Sequence, residues 1–499
     1  MKIKKSILVS FVCVFSISSA VSAASLQPLV HQPPVEVGLS FLLTDGSVMF
    51  QGSSFSDWWK LTPDPTGSYL NGIWTQLASF PAQWNYGPYA FASAVLADGR
   101  VVIEGGEYNQ GGPFSLINKG AIYDPLQDNW TQVQPPPGWN YIGDSASLVL
   151  PNGKFLLGDK LTTRIAELDP ISLTWTEMGS TGKSDFNAEE GWTLLPDGSI
   201  LTVDVKNAPN TERYLYVDMP GQGTWITEGP SPQSLAWNYH LPPIYFGGGS
   251  YLPPGETGPC ILRADGTVFC TGASDDLPAD IAHTAIYTPA TMLWAAGPDF
   301  PVGDDAGDTS AVLLPSGNVL ISATSGSLYE FDGTQLNPGP FGGGTLMMLP
   351  SGQAIVSGYS VQVYTPSVGT GSASWAPTIT QWPSDIARGR SYSISGTQFN
   401  GLSQAQAFGD ELQSPTNYPL VRLTNNATGH VFYARTHDHS TMGVATGTAV
   451  VSTTFDVPPA IEMGASTLEV VANGIPSQPV SVAVNDDTIF ADGFESNPR

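Results

Sequence analysis

The stretch Leu43-Thr44-Asp45-Gly46-Ser47-Val48 decides the architecture of this chain, because the same phrase returns along its length. It recurs as Leu96-Ala97-Asp98-Gly99-Arg100-Val101, Leu150-Pro151-Asn152-Gly153-Lys154-Phe155 and Leu195-Pro196-Asp197-Gly198-Ser199-Ile200. Further copies centre on Asp265-Gly266, Ser316-Gly317 and Ser351-Gly352. Each is an apolar run, a polar residue before glycine, and a second apolar run. That is a β-hairpin: glycine supplies the positive φ, and Asp, Asn or Ser bonds its own backbone. The turns lie 35 to 68 residues apart.

A second signature follows most copies, a strand ending near proline and then a tryptophan. Examples are Ile122-Tyr123-Asp124-Pro125 with Trp130, Leu168-Asp169-Pro170 with Trp175, and Ile286-Tyr287-Thr288-Pro289 with Trp294. Trp74, Trp225 and Trp375 take the corresponding places elsewhere, and the sixth copy, around Tyr329-Glu330-Phe331, lacks its Trp. Seven such units predict an all-β fold, a seven-bladed β-propeller over residues 35–376. The Gly turn, Tyr-Asp-Pro and Trp pattern resembles the kelch repeat. Beyond it, Tyr392–Gly396, Leu420–Leu423, Val450–Ser452 and Leu468–Val471 read as strands at sandwich spacing. An immunoglobulin-like β-sandwich is expected over 377–485.

Composition agrees with many short strands. Gly (54) and Pro (42) are abundant in the 499 residues, and both interrupt helices. With 44 acidic against 18 basic residues the formal charge is −26, which repels the phosphates of nucleic acid and anionic lipid. Lys2, Lys4 and Lys5 precede an apolar run from Ile7 to Phe15 and then Val21-Ser22-Ala23. This predicts a bacterial-type signal peptide over 1–23 and a secreted or cell-envelope protein. The apolar run is too short for a permanent membrane anchor, and no other segment is expected to span one. In that oxidising setting Cys260 and Cys270 flank the turn 263–267 and face each other on paired strands. Cross-strand separations of about 4.5–5.5 Å suit a disulfide. The tail 486–499, Asp486-Asp487-Thr488-Ile489-Phe490-Ala491-Asp492-Gly493-Phe494-Glu495 onward, is similar to C-terminal sorting segments of exported bacterial proteins.

A kelch propeller followed by such a sandwich resembles the galactose oxidase superfamily, through Leu420-Val421-Arg422-Leu423 and Ala427-Thr428-Gly429-His430 above all. The resemblance implies that His430 reaches the propeller axis and ligates copper, as an oxidase of sugars or alcohols would require. The rest of the copper-radical set is incomplete. Where the family has Tyr-His in its last blade, this chain has Pro340-Phe341-Gly342-Gly343-Gly344. Tyr89 is one position off the family's cross-linked tyrosine, and Tyr239-His240 lies in the fifth repeat.

The innermost strand of each blade starts at the face opposite the Gly turn. Eight or nine residues upstream of the turns stand Glu36, Tyr89, Asp144, Glu189, Glu256, Asp308 and Gly342. Five carboxylates converging on one mouth repel one another, which raises pKa values or recruits a cation. Their hard oxygens favour calcium or magnesium, whereas the resemblance implies copper. Trp84-Asn85-Tyr86, Trp139-Asn140-Tyr141 and Trp237-Asn238-Tyr239 repeat one tripeptide near this ring. Aromatic faces beside carboxylates suit sugar rings, and large aromatics wedged between blades are the alternative use. His437-Asp438-His439 offers two imidazoles on one strand face as a further metal pair beside His430 and His240.

Two functional readings therefore stand. One is a monomeric protein binding a glycan or polysaccharide at the mouth through Trp84, Tyr86, Tyr89, Trp139, Tyr141, Asp144, Glu189, Trp237, Tyr239, Glu256 and Asp308. The other is a copper- or other metal-dependent oxidase using His430. A cell-surface structural role is a third.

Overall fold

The computed structural model describes residues 23–237, 242–252, 255–274, 281–367 and 371–486. Strands joined by turns make up the whole of it, with three short 3-10 turns and no α-helix among the described residues. Seven sheets, over 37–77, 92–133, 147–178, 193–230, 260–296, 311–341 and 345–365, form the blades of a propeller. A β-sandwich follows. No helix of the described residues is long and apolar enough to cross a membrane.

The repeated phrase forms the turn between the first two strands of every blade. In blade 1 Gly46 N–H donates to Leu43 O at 2.9 Å and Leu43 N–H to Ser47 O at 2.8 Å, a type I turn closed by a glycine bulge. Asp45 Oδ1 accepts from Ser47 N at 3.0 Å, and Asp98, Asp197 and Asp265 repeat that bond. The seven turn glycines all have φ between 75° and 88°, where a Cβ would be strained. Cys260 and Cys270 are directly paired and disulfide-bonded, with Cα atoms 4.0 Å apart.

The use of tryptophan repeated from blade to blade is inter-blade stapling. Trp130 Nε1 donates to Ala78 O at 2.8 Å, Trp175 Nε1 to Gln134 O at 2.7 Å and Trp294 Nε1 to Thr211 Oγ1 at 3.0 Å, each reaching an earlier blade. The apolar core fills the wedges between sheets. Trp58, fully buried, packs against Trp130 at 5.1 Å and Phe80 at 5.7 Å.

The seventh blade differs from expectation. Its outer strand is Ser25–Pro28, which pairs with Gln362–Thr365. The ring therefore starts ten residues before position 35 and is closed by the N-terminal strand. Trp375 lies instead in a 3-10 turn against the Gly317 turn of blade 6. A four-residue strand ending in proline carries too little alternation to be read from sequence.

In the C-terminal domain Val431–His437 belongs to two sheets. Residues 431–434 pair with 421–424, and 435–437 with 454–456. Ile394, Val421, Leu423, Phe455, Leu468 and Val470 fill its core. The domain docks on the Gly-turn face: Arg435 Nη2 donates to Asp98 O at 2.7 Å and Met442 N to Pro151 O at 3.0 Å. Between its strands Ser391–Thr397 and Leu420–Asn425, residues 405–420 are buried without a break. This finger enters the propeller. Gln406-Ala407 pairs with the inner strand of blade 6, Leu412 N donates to Phe91 O at 2.9 Å, and Ser93 Oγ donates to Gln413 O at 2.7 Å. Clearance is tight, since a Cβ on Gly191 would stand 2.5 Å from Gly409 O.

Candidate functional site

The finger carries Asp410 and Glu411 to the end of the axis opposite the docked domain. There they meet the loops that begin blades 3 to 6. Those loops turn through left-handed residues at or beside the ring positions: Gly143, Glu189 (φ 60°), Gly255 and Asp308 (φ 48°). Positive φ is costly for Glu and Asp, so the surrounding fold imposes it.

Lys160 is the hub. Its side chain is wholly buried, and Nζ contacts Asp144 Oδ2 at 2.5 Å, Glu189 Oε2 at 2.9 Å and Asp410 Oδ2 at 3.2 Å. The Glu189 amide also donates to Asp410 Oδ2, at 3.0 Å. Burial alone would lower the ammonium's pKa, but the carboxylates together outweigh it and hold it well above the ordinary lysine value. Burial, partly offset by Lys160, keeps Asp144 and Glu189 well above the usual carboxylate range.

Asp410 belongs to a second triad. One carboxylate oxygen from each of Asp308, Asp410 and Glu411 lies within 4.8 Å of the others. Asp410 and Glu411 are buried, whereas Asp308 is open to solvent. Enclosure in the mouth and the neighbouring Asp410 push the Asp308 carboxyl up to about 6. Burial, then Asp308 and Asp410, push Glu411 further. Burial, then Glu189 and Asp308, raise Glu256. A cavity of 320 Å³ opens here between blades 5 and 6, lined by Trp237, Glu256, Ser274, Asp305, Asp308 and Thr324. A second, of 540 Å³, lies between blades 7 and 1 and includes Glu36, Phe55, Tyr89, Gly343, Tyr359 and Leu412.

The ring positions thus converge where the blade geometry places them, with Glu36 set aside in the second cavity. Gly342 follows the outer strand of blade 6, where a Cβ would meet Leu26 of the blade 7 outer strand at 2.9 Å. The aromatic tripeptides divide. Tyr86 and Trp139 are buried: Tyr86 donates its hydroxyl to Gly105 O at 3.0 Å, and Trp139 lies under the Arg164 guanidinium at 5.5 Å. Trp84 packs on Phe80 at 6.4 Å. These three wedge between blades, the commonest use of a large aromatic. Tyr89, Tyr141 and Trp237 remain at the mouth. An aromatic arc runs along its rim, from Phe55 to Tyr89 (5.8 Å), Tyr108 (6.2 Å) and Phe114 (6.1 Å), then through Phe246 to Tyr141. Asn238, Tyr239 and His240 fall outside the described residues.

The imidazoles sit elsewhere, which corrects the role expected of His430. It is half-buried on the C-terminal domain, with Nδ1 2.7 Å from Glu462 Oε1, because the segment that enters the propeller is 405–420 and not the 425–431 turn. His437 has both nitrogens engaged, Nδ1 by Asp438 at 2.8 Å and Nε2 by Asp456 at 3.2 Å. Asp438, at φ 52°, breaks the strand, so His439 turns away from His437. His439 stacks on Tyr418, and burial, with His437 and Arg435 nearby, lowers its pKa to about 3. The two do not form a metal pair. Among the described residues the groups able to hold an ion are carboxylates, and this donor set does not fit copper. Cys260 and Cys270 are bonded to each other, leaving neither thiol for a tyrosine cross-link.

No family model matches the chain. It is 30% identical over 275 residues to the Kelch-like protein terF of Aspergillus terreus (strain NIH 2624 / FGSC A1156), a match that covers 51% of this chain and 54% of that one. The chain thus spans about half the length of that curated relative. Among solved structures, a fungal alcohol oxidase of the AA5 family, in complex with copper, superposes with a TM-score of 0.50 at 14% identity, over 93% of this chain and all of the other. A streptogramin B lyase gives a TM-score of 0.46 at 12% identity, over 70% of this chain and 99% of the other. The chain is thus similar over half its length to a Kelch-like protein and shares the fold of the copper-bound alcohol oxidase.

Proposed function

We propose that this chain is an exported protein that binds a carbohydrate at the axial mouth of its propeller, and that its C-terminal sandwich is of the immunoglobulin-like class and delivers part of the site. The observation that carries the reading is the 320 Å³ cavity that Trp237, Glu256 and Asp308 line together. Pockets for small ligands run from roughly 300 to 1,000 Å³, and an indole face beside carboxylates offers a sugar both stacking and acceptors for its hydroxyls. Tyr89 and Tyr141 extend the aromatic surface along the rim, toward the larger cavity between blades 7 and 1. The disulfide, the acidic surface and the signal-like N-terminus support export.

The test is a glycan microarray combined with retention of soluble polysaccharides on the purified protein. Binding that falls roughly tenfold in Trp237→Ala and in Asp308→Asn, the size of one lost stacking or charged contact, is the expected result. Wild-type protein inert across neutral, acidic and amino-sugar polymers would overturn the reading.

A further inference from the structure

Counting charges around Asp410 leads one step further. Asp144, Glu189, Asp410, Glu411, Glu256 and Asp308 share one electrostatic neighbourhood, and Lys160 is the buried ammonium within it. That ammonium is committed to one side, in contact with Asp144, Glu189 and Asp410. On the other side, one oxygen each from Asp308, Asp410 and Glu411 gathers within 4.8 Å, and among the described residues neither Asp308 nor Glu411 is in ion-pair contact with an ammonium or guanidinium.

A second observation concerns Asp410, which shares with Asp144 a buried carboxylate oxygen lacking a hydrogen-bond partner. Its Oδ2 takes both Lys160 and the Glu189 amide. Its Oδ1 is buried and has no hydrogen-bond partner, and the residue is only 1% exposed. A buried carboxylate oxygen left without a donor is costly, and a cation placed against it would relieve that cost. The finger delivers it there rigidly, hydrogen-bonded to blades 2 and 6.

We infer that Asp308, Asp410 and Glu411 hold a calcium ion whose open side faces the cavity beside Trp237. Calcium takes six to eight oxygen ligands, and carboxylates in a geometry this irregular suit it better than magnesium, which demands a near-ideal octahedron. The three carboxylates supply the protein's share. Water fills the remaining positions in the free protein, and a vicinal pair of sugar hydroxyls replaces that water on binding. The outer ligands alone rest on the carbohydrate reading, whereas the ion itself rests on the triad.

The test begins with the metal alone. Calcium chloride is titrated into chelator-treated full-length protein, followed by calorimetry and by thermal unfolding. One ion per chain is expected, with a dissociation constant on the order of 0.1–1 mM, the range of extracellular calcium modules. Calcium should raise Tm and EDTA should reverse the rise. Magnesium should do markedly less. Asp308→Asn, an exposed substitution that the fold tolerates, should weaken calcium by roughly tenfold or more through the loss of one charged ligand. Asp204→Asn, in a separate buried cluster of blade 4, should leave the affinity unchanged. Absence of calcium heat together with a Tm indifferent to calcium and EDTA would overturn the site. Glycan retention that survives EDTA would overturn the bridging role while leaving the carbohydrate reading intact.

Discussion

Glu189 and Glu190 are neighbours in the chain and serve two different lysines. Glu189, held at a left-handed φ, turns to the axis and meets Lys160, alongside Asp144 and Asp410. Glu190 turns into blade 4 and meets Lys183 at 2.6 Å, alongside Glu212 at 2.8 Å. Both ammonium groups are completely buried. The blade 4 cluster is closed: the Trp225 ring covers Lys183 at 4.8 Å, Ser184 N donates to Glu212 Oε1 at 2.7 Å, and Ser184 Oγ donates to Asp204 at 3.2 Å. The axial cluster continues into Asp308, Glu411 and Glu256, and so into a cavity. Buried ion pairs bring modest net stability, so the lesson concerns placement. Carboxylates beyond those the ammonium contacts accumulate where the cluster opens to solvent, whereas within the closed blade Ser184 and Thr202 hydroxyls donate to Asp204 Oδ2 and Glu190 Oε2.

The contrast is broken most forcefully by removing each cation. Lys160→Met and Lys183→Met should each cost about 3–5 kcal/mol in urea unfolding, since each strands buried carboxylates. Calcium should recover part of the loss in Lys160→Met and none in Lys183→Met. Equal recovery, or none in either, would erase the distinction between the open and closed clusters.

A smaller effect comes from pH. Enclosure in the mouth pushes Asp308, and burial pushes Asp204, each up to about 6, above the ordinary carboxylate value. The native state therefore holds protons that the unfolded chain has already released, and stability falls as pH rises from about 4 to 6. Asp308→Asn and Asp204→Asn should each flatten that decline. Calcium should flatten only the part owed to Asp308, and stability curves at pH 4, 5 and 6 with and without the ion measure this. The smallest change expected is in Ser184→Ala, which removes one hydrogen bond to Asp204. A loss of about 1 kcal/mol, with calcium affinity untouched, is the outcome that keeps the clusters independent.

The ring of the site was legible because a propeller turns a repeat in sequence into a circle in space. Once the seven Gly turns are aligned, Asp144, Glu189, Glu256 and Asp308 must share one end. Lys160 was not legible. It follows Phe155–Gly158 in a short polar turn, and lysine in such a turn normally faces water. Asp410 and Glu411 were hidden for another reason, since they belong by sequence to the C-terminal domain and reach the axis only through tertiary insertion. A signal existed in the stretch between Ser391–Thr397 and Leu420–Asn425, which is too long and too weakly alternating for an ordinary sandwich connection. The Trp-Asn-Tyr motif was legible as a motif and divided in use. Burial depends on what each loop packs against, and the neighbours of Trp139 and Trp237 differ.

The strand Ser25–Pro28 has a kinetic consequence. Beside it, Gln32 Nε2 bonds Val361 O, and the two residues are 329 positions apart. This strand, synthesised early, is thus among the last to be seated, and translation must run past residue 365 before the circle can shut. Until then the inner faces of the first and last blades lack their partners. Such long-range contacts slow folding, and exposed strand edges invite aggregation in the meantime.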